Sequence, residues 1–464
     1  MLRNRIGLGL YSTFFEPAAL AAYYTARGRA YPRVRRFLEQ SQWWNSEQLR
    51  AFQWSELERI LQHAFRTVPY YQRKYAAAGI RLEDIRTPED FSKLPPLTRA
   101  EVNQHRDELR STEFSGKLLP HATGGSTGQP TRFYITLDSY DWRSAAWSRA
   151  YSWSGCRLGE RTLYLWGAPV GKVSAARQTK LRTYHWLRRE LVYSTFSQSA
   201  EFWDRIYAGA LRFRPRFIVG YVSSIEEFAK YLLAAGRTLP GIQAVIAAGE
   251  PVLEHTRELT VKALGAPLFN TYGSREFMSI AAECPEHHGL HMNSENLYIE
   301  IDSPDGTSGE VLVTDLHNYG MPFLRYRNGD AATLDSVAEC ACGRGLPLIR
   351  SIEGRVVDVI RSRSGRVVPG ELFPQVLKEI PEIREFQVRQ RTLDELVLSV
   401  VVDGDLSLAA TKLIREEIES HLHGEMNLAI CQTNRLEPLP SGKRRVVVGL
   451  PTNPIESSSS NQHS

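Results

Sequence analysis

The chain is poor in cysteine, has no long apolar run and carries no strong excess of either charge. Five cysteines in 464 residues are too few, and odd in number, for the disulfide framework of a small secreted domain. A reducing cytoplasm is therefore the expected setting. No stretch approaches the roughly 20 apolar residues that a membrane-spanning helix needs, so no transmembrane span is expected. The modestly apolar segment from Ile6 to Tyr24 follows Arg3 and Arg5, but Glu16 and Pro17 interrupt it and no small-residue cleavage site follows. It reads as a surface helix rather than a signal peptide, with a peripheral amphipathic helix as the alternative. A formal net charge of +5 is a mild excess over this length. It suits a protein that handles anionic small molecules and gives no argument for a nucleic-acid partner. No internal repeat is visible.

What is present is ordinary globular material, 42% hydrophobic and 23% charged, and long enough for more than one core. Residues 1–110 read as helical and packed on a larger domain; Ser55 to Phe65 has apolar residues at helical spacing, and Val68-Pro69 ends that helix. Residues 111–353 alternate short apolar runs, such as Thr162–Trp166, Phe217–Gly220 and Ala244–Ala248, with amphipathic segments such as Ser224–Ala235 and Glu254–Leu264. That alternation predicts an α/β domain with largely buried strands. Residues 354–450 change texture: strands Val356–Ile360 and Leu396–Val402, a helix near Ser407–Leu422 and a last strand ending near Leu436 predict a small α+β domain. Residues 451–464, with serines from Ser457 to Ser460, are expected to be a disordered tail.

Several segments carry recognisable chemistry. In Thr123-Gly124-Gly125-Ser126-Thr127-Gly128, glycines among hydroxyl residues let a loop aim N–H and O–H groups at phosphate oxygens. The segment lacks the Gly-Lys-Ser/Thr ending of a Walker loop, and a plain Gly/Ser linker would look the same. Gly249-Glu250-Pro251 follows an apolar strand, where a glycine admits a flat ring against the backbone; the plainer reading is a strand-to-helix turn with Glu250 in the first helical turn. Tyr272-Gly273-Ser274-Arg275-Glu276 presents hydroxyls, a guanidinium and a carboxylate together; Glu276 is a hard oxygen donor suited to Mg²⁺, or half of a surface ion pair. Asp330, in Asn328-Gly329-Asp330, is able to accept two ribose hydroxyls, or belongs to an ordinary hairpin turn. Gly354-Arg355 marks the change of texture. Lys443, after Ser441-Gly442, is a lone lysine in an expected flexible loop. Finally, Cys284, Cys340 and Cys342 with one of His287, His288 or His291 form a soft donor set suited to zinc, though unrelated loop cysteines would also read this way.

The order and spacing of these segments over about residues 40–450 resemble the adenylate-forming superfamily. More closely, they resemble the phenylacetate–CoA ligase family, including a branch found with capsular-polysaccharide genes. The resemblance implies a large multi-layer α/β domain of the adenylate-forming type with a small mobile α+β C-terminal domain. It implies ATP-dependent activation of a small aromatic carboxylic acid to an acyl-adenylate, then transfer to CoA or a thiol carrier. By resemblance, Thr123 to Gly128 form the phosphate loop, and Gly249, Glu250 and Pro251 line the adenine site. Tyr272, with Gly273 and Ser274, sits beside adenine or the substrate carboxylate. Glu276 holds Mg²⁺, Asp330 clamps ribose, Arg355 lies at the hinge and Lys443 is catalytic. The zinc ligands become Cys284, His291, Cys340 and Cys342. Two positions depart from the family: Gln129 replaces a frequent lysine, and Val357 stands at the usual acidic hinge position, beside Asp358. Two rival readings remain: transfer of the acyl group to an amine or sugar hydroxyl, and a degenerate, non-catalytic zinc-stabilised binding protein. A homodimer is expected only because dimers are the commonest closed assembly.

Overall fold

Asn45 starts the helix Ser46–Thr67, its side chain accepting from the Gln48 amide at 2.9 Å while Gln48 reaches back to the Asn45 N–H. Pro69 then opens the next helix, Pro69–Ala77, at a position where its missing N–H costs nothing. In this computed structural model the described residues are 10–123, 131–167, 174–195, 200–303, 308–334, 340–353, 360–364, 366–368, 370, 372–377, 380–402, 404–434, 436 and 446–450. The chain divides into two compact units, the first described up to Glu353 and the second from Ile360.

In the first unit, β1 (Leu118–Ala122) and β2 (Arg132–Thr136) form an antiparallel pair. The main sheet begins with five parallel strands: β3 (Thr162–Trp166), β4 (Glu190–Ser194), β5 (Phe217–Tyr221), β6 (Ala244–Ala248) and β7 (Leu268–Tyr272). It continues antiparallel through β8 (Ala281–Glu283), β9 (Leu290–Met292), β10 (Leu297–Asp302), β11 (Ser308–Asp315), β12 (Tyr326–Leu334) and β13 (Leu348–Glu353). Among the described residues the order is β10-β11-β12-β13-β9-β8-β7-β6-β5-β3-β4. Every residue of β5 is buried, as a parallel strand covered on both faces requires. The N-terminal helices share a core with the antiparallel half: Leu57, Ile60 and Leu61 pack with Ile280, Val311 and Ile349.

Running through this unit is helix Leu137–Ser152, capped by Thr136, which buries Asp141, Arg143, Ser148 and Arg149. Each charge is answered. Arg29 grips Asp141 with two nitrogens, at 2.6 and 3.0 Å, and Arg143 meets Asp315. Arg149, fully buried, forks onto Glu295 at 2.5 and 2.9 Å and also donates to Asn293 and the Leu38 carbonyl.

The second unit pairs β14 (Ile360–Arg361) with β15 (Val367–Val368). Its larger sheet has the order β18-β17-β16-β19, where β16 is Ile383–Gln390, β17 Glu395–Val402, β18 Asn427–Gln432 and β19 Val447–Val448. Helix Leu408–Leu422, capped by Ser407, links the parallel strands β17 and β18.

The large α/β domain with a smaller α+β unit is thus the fold. Two local expectations differ. The last strand is not the one ending near Leu436, because Val447–Val448 pairs in parallel with β16; two residues are too short for a periodicity reading to reveal. Of the strand read over Val356–Ile360, Val356 to Val359 lie outside the described residues, and Ile360 opens β14. The N-terminal segment is not a simple surface helix: Phe15 and Glu16 are buried, and Glu16 accepts from Tyr31, Ser148 and Arg35 at 2.6, 2.8 and 3.1 Å. It winds as α-helix, then π-helix over Phe15–Leu20, then α-helix; the wider turn accommodates Pro17.

Removing one partner of a fully buried pair strands the other charge. Glu295→Ala is expected to destabilise the first unit by about 3–5 kcal/mol, read as a fall in the denaturant midpoint. A midpoint unchanged from the parent would show that Arg149 does not depend on this carboxylate.

Candidate active site

The parallel strands β3 to β7 end on one edge of the sheet, the usual position of a ligand crevice in α/β folds. Trp166, at the end of β3, stacks on Tyr221, at the end of β5, with centroids 4.4 Å apart. Gly249, just past β6, has φ +85°, and a Cβ there would lie 3.0 Å from the Tyr221 ring. The flat ring that this glycine admits on its Cβ side is therefore the chain's own. Glu250 is not in the first turn of a helix, since the helix begins only at Glu254; its carboxylate accepts from the Ser223 N–H at 2.6 Å. Pro251 lies in the link between them.

Past β7 the chain turns sharply. A Cβ on Gly273 would meet the Met278 carbonyl oxygen at 2.1 Å, so no larger residue fits. The Ser274 carbonyl accepts from the Met278 N–H at 2.7 Å, and the Ser274 hydroxyl is buried without a hydrogen-bond partner. Glu276, at the far side of the turn, is buried; Tyr326 donates to its Oε1 at 3.2 Å, and Arg99 lies 3.7 Å from the same oxygen. It is not a surface ion pair. Burial, with the Glu276 charge added, pushes the Tyr326 hydroxyl well above its ordinary pKa, so it stays a donor.

Asp330 is not in a hairpin turn. It lies inside β12, where the register against β11 shifts between Glu310 and Leu312 and Gly329 takes φ +84°. This glycine bulge re-aims the strand. Tyr272 donates to Asp330 Oδ2 at 2.9 Å, while the Asn328 amide bonds both the Tyr272 oxygen and Asp330 Oδ2 at 2.8 Å. The sequence reading assigned no role to Asn328, although it stands two residues from Asp330 in a strand, where period-two spacing would have paired them. Arg99 and Tyr326 were also missed; no local pattern marks Arg99.

Thr123 closes the base of the β1–β2 connection: its N–H donates to the Thr131 carbonyl, and its hydroxyl oxygen accepts from the Thr131 N–H, both at 2.9 Å. Gly124, Gly125, Ser126, Thr127, Gly128, Arg355 and Lys443 lie outside the described residues, as do Gln129, Val357 and Asp358.

Cys284, His291, Cys340 and Cys342 come together with their donor atoms within 4.8 Å of one another. Cys284 and Cys340 sulfurs are 3.7 Å apart, and Cys342 Sγ is 3.3 Å from His291 Nε2. Tetrahedral zinc with thiolates at ~2.3 Å would set sulfurs ~3.8 Å apart, so the cluster fits that ion. His291 Nδ1 faces the Leu346 carbonyl at 3.1 Å, which directs Nε2 inward, and burial holds its pKa down to about 4, keeping the ring neutral. His287 instead pairs with Glu283 at 3.1 Å.

This fold is shared with a solved 2-hydroxyisobutyryl-CoA ligase in complex with 2-HIB-AMP and CoA, at a TM-score of 0.58 and 20% identity over 87% of this chain and 90% of that one. In sequence, the chain is 27% identical to the phenylacetate-coenzyme A ligase of Thermus thermophilus over 377 residues, 77% of this chain and 82% of the relative. It is 22% identical to Protein CapK of Staphylococcus aureus over 365 residues, 78% and 81% of the two chains. Residues 359–449 match the CapK C-terminal domain. No helix among the described residues is long and apolar enough to cross a membrane.

Gly249→Ala places a side chain at positive φ against Tyr221. It is expected to cost about 1–2 kcal/mol, measured by chemical denaturation. An unchanged stability would mean that the strand end relaxes freely.

Proposed function

We propose that this protein is an acid–thiol ligase that couples a small carboxylic acid to AMP and then passes the acyl group to CoA. The similarity to phenylacetate-CoA ligases along most of the chain supports the reaction class. The observation that carries the site is the Tyr272–Asn328–Asp330 cluster at the carboxyl edge of the sheet. There a carboxylate is fixed in place by two neutral donors, Tyr272 and Asn328, and a carboxylate is the kind of acceptor that ribose hydroxyls take.

The chemical problem is repulsion between anions. A carboxylate must attack the α-phosphorus of ATP, displacing pyrophosphate and leaving a mixed anhydride with AMP. Oriented dipoles and cations do most of this work. Thr123 to Gly128 form the phosphate loop: N–H and hydroxyl groups supply the donors, except the Thr123 N–H, which closes the loop on Thr131. Glu276 presents a hard oxygen suited to Mg²⁺, since Tyr326 and Arg99 both face Oε1. When bound, that ion would neutralise phosphate charge. Lys443 supplies charge in the adenylating step, and Arg355 sits at the hinge. Gly249 to Pro251 flank adenine, and Gly273 and Ser274 shape the turn beside the acid. The acid is proposed to be aromatic on family resemblance. Zinc at Cys284, His291, Cys340 and Cys342, with no open position, is structural. The setting is the cytoplasm.

The resemblance to the capsular-polysaccharide branch carries a second reading, in which the acceptor is an amine or sugar hydroxyl rather than CoA; residues 359–449 match the CapK C-terminal domain. Product analysis with and without CoA separates the two.

Acid-dependent ATP–pyrophosphate exchange, run across a panel of acids, tests the adenylation; no exchange with any acid would leave a binding protein. Lys443→Ala is expected to lower exchange by a factor on the order of a thousand while sparing thioester formation from supplied acyl-adenylate. Equal loss of both half-reactions would reject a role confined to the first step. Purified protein is expected to contain about one zinc per chain. Cys284→Ser should lower both the zinc content and the melting temperature; a metal-free preparation of full stability would remove the metal.

A further inference from the structure

Helix Ala175–Leu187 packs beside β4 at the edge of the main sheet. None of its described side chains is buried, and Arg177, Lys180, Arg182, Tyr184, Trp186 and Leu187 are exposed. A helix of 13 residues is marginal in water on its own propensity and usually draws its stability from burying one face. Here the apolar groups face solvent: Trp186 is 75% exposed, Tyr184 48% and Leu187 44%. From Ser174 to Arg189 there is no acidic residue. Arg188 and His185 are both engaged by Glu190. Arg177, Lys180 and Arg182 have no ion-pair partner among the described residues.

The N-terminal segment extends this surface. The Tyr11 hydroxyl donates to the Leu187 carbonyl at 2.7 Å, closing the C-terminal end of the helix, and Arg189 lies over the Tyr11 ring. Phe14, one helical turn from Tyr11, is 67% exposed. Exposed aromatic rings beside unpaired cations are the composition of helices that lie in the headgroup plane of a bilayer, rings in the acyl boundary and cations among phosphates.

We infer that Ala175–Leu187, together with Tyr11 and Phe14, is a docking surface for an anionic lipid bilayer, which it touches peripherally. The charge is complementary to phospholipid headgroups, and the apolar side chains supply what charge alone would not.

The test uses the full chain and two sets of vesicles, one mixing phosphatidylglycerol with phosphatidylcholine and one of phosphatidylcholine alone. The protein is expected to co-sediment with the anionic vesicles, poorly with the neutral ones, and less as salt rises. The triple variant Arg177→Glu, Lys180→Glu, Arg182→Glu should bind anionic vesicles about a hundredfold more weakly. Trp186→Ser and, independently, Phe14→Ser should each weaken binding without changing its salt dependence. Melting curves identify any variant that fails to fold, and the remaining ones then decide. No co-sedimentation of the parent at low salt would overturn the proposal. So would binding indifferent to all three changes. Binding to a soluble acidic carrier protein, with vesicles ignored, would also overturn it and make the surface a protein-docking site.

Discussion

Arg149 and Glu295 are both removed from water, and much of the first unit is arranged so that neither is left alone. Glu295 also accepts from Ser41 at 2.6 Å, and Arg149 reaches the Leu38 carbonyl and the Asn293 side chain. One pair thus joins the N-terminal helix Tyr31–Ser41, the buried helix Leu137–Ser152 and the segment after β9. Asn293 carries the connection further, since its amide donates to the Ser279 hydroxyl at 2.9 Å and to the Ser279 carbonyl at 3.2 Å. Ser279 lies at the exit of the tight turn that holds Glu276. A buried ion pair is weak evidence for net stability, because desolvation cancels much of its attraction. Its contribution here is uniqueness: a packing that moved one of these segments would leave a guanidinium or a carboxylate unanswered.

The Cys/His cluster lies against the same region. His291 stands two residues before Asn293, so the cluster and the ion pair share a strand end. Gln42 is the second point of contact. Its side-chain oxygen accepts from Trp153 at 2.9 Å and from Arg344 at 3.0 Å, and its carbonyl accepts from the Gly345 N–H. A Cβ on Gly345 would run into the Trp44 carbonyl. The loop carrying Cys340 and Cys342 is therefore clamped to the turn after the helix Tyr31–Ser41. The Cys/His cluster and the buried charge thus meet at the same two pieces of chain, which adjoin the turn of Tyr272 to Glu276 through Asn293 and Ser279.

The parallel half of the sheet was legible because buried parallel strands read as unbroken apolar runs, as in Phe217–Gly220 and Ala244–Ala248. The soft donor set was legible because cysteine and histidine carry their chemistry in their identity. The bulge at Gly329 was not: Asn-Gly-Asp has the composition of a hairpin turn, and only the pairing of β12 with β11 reveals a strand that runs through it. Nor was the docked N-terminus legible, because Glu16 looks like a surface residue until Tyr31, Arg35 and Ser148 are known to converge on it. Arg99 is the extreme case, since its nearness to Glu276 is wholly a product of tertiary packing.

The described part of the site gathers acceptors around Asp330 and Glu276. Asp330 and Glu276 are carboxylates, Tyr272 and Tyr326 are neutral hydroxyls, and the cation beside Glu276, Arg99, already faces a carboxylate oxygen. Under the proposed function such a set would suit the hydroxyls of a ribose and would oppose phosphate charge. Under the proposed reaction, the balancing charge falls to Mg²⁺ at Glu276 and to Arg355 and Lys443. Arg355 and Lys443 come late in the chain, after the strands that build the acceptor cluster. Separating acceptors from cations in this way has a chemical consequence. A rigid carboxylate cluster can hold the nucleotide through both half-reactions, while charge that is needed only to bring two anions together need not remain once the anhydride has formed.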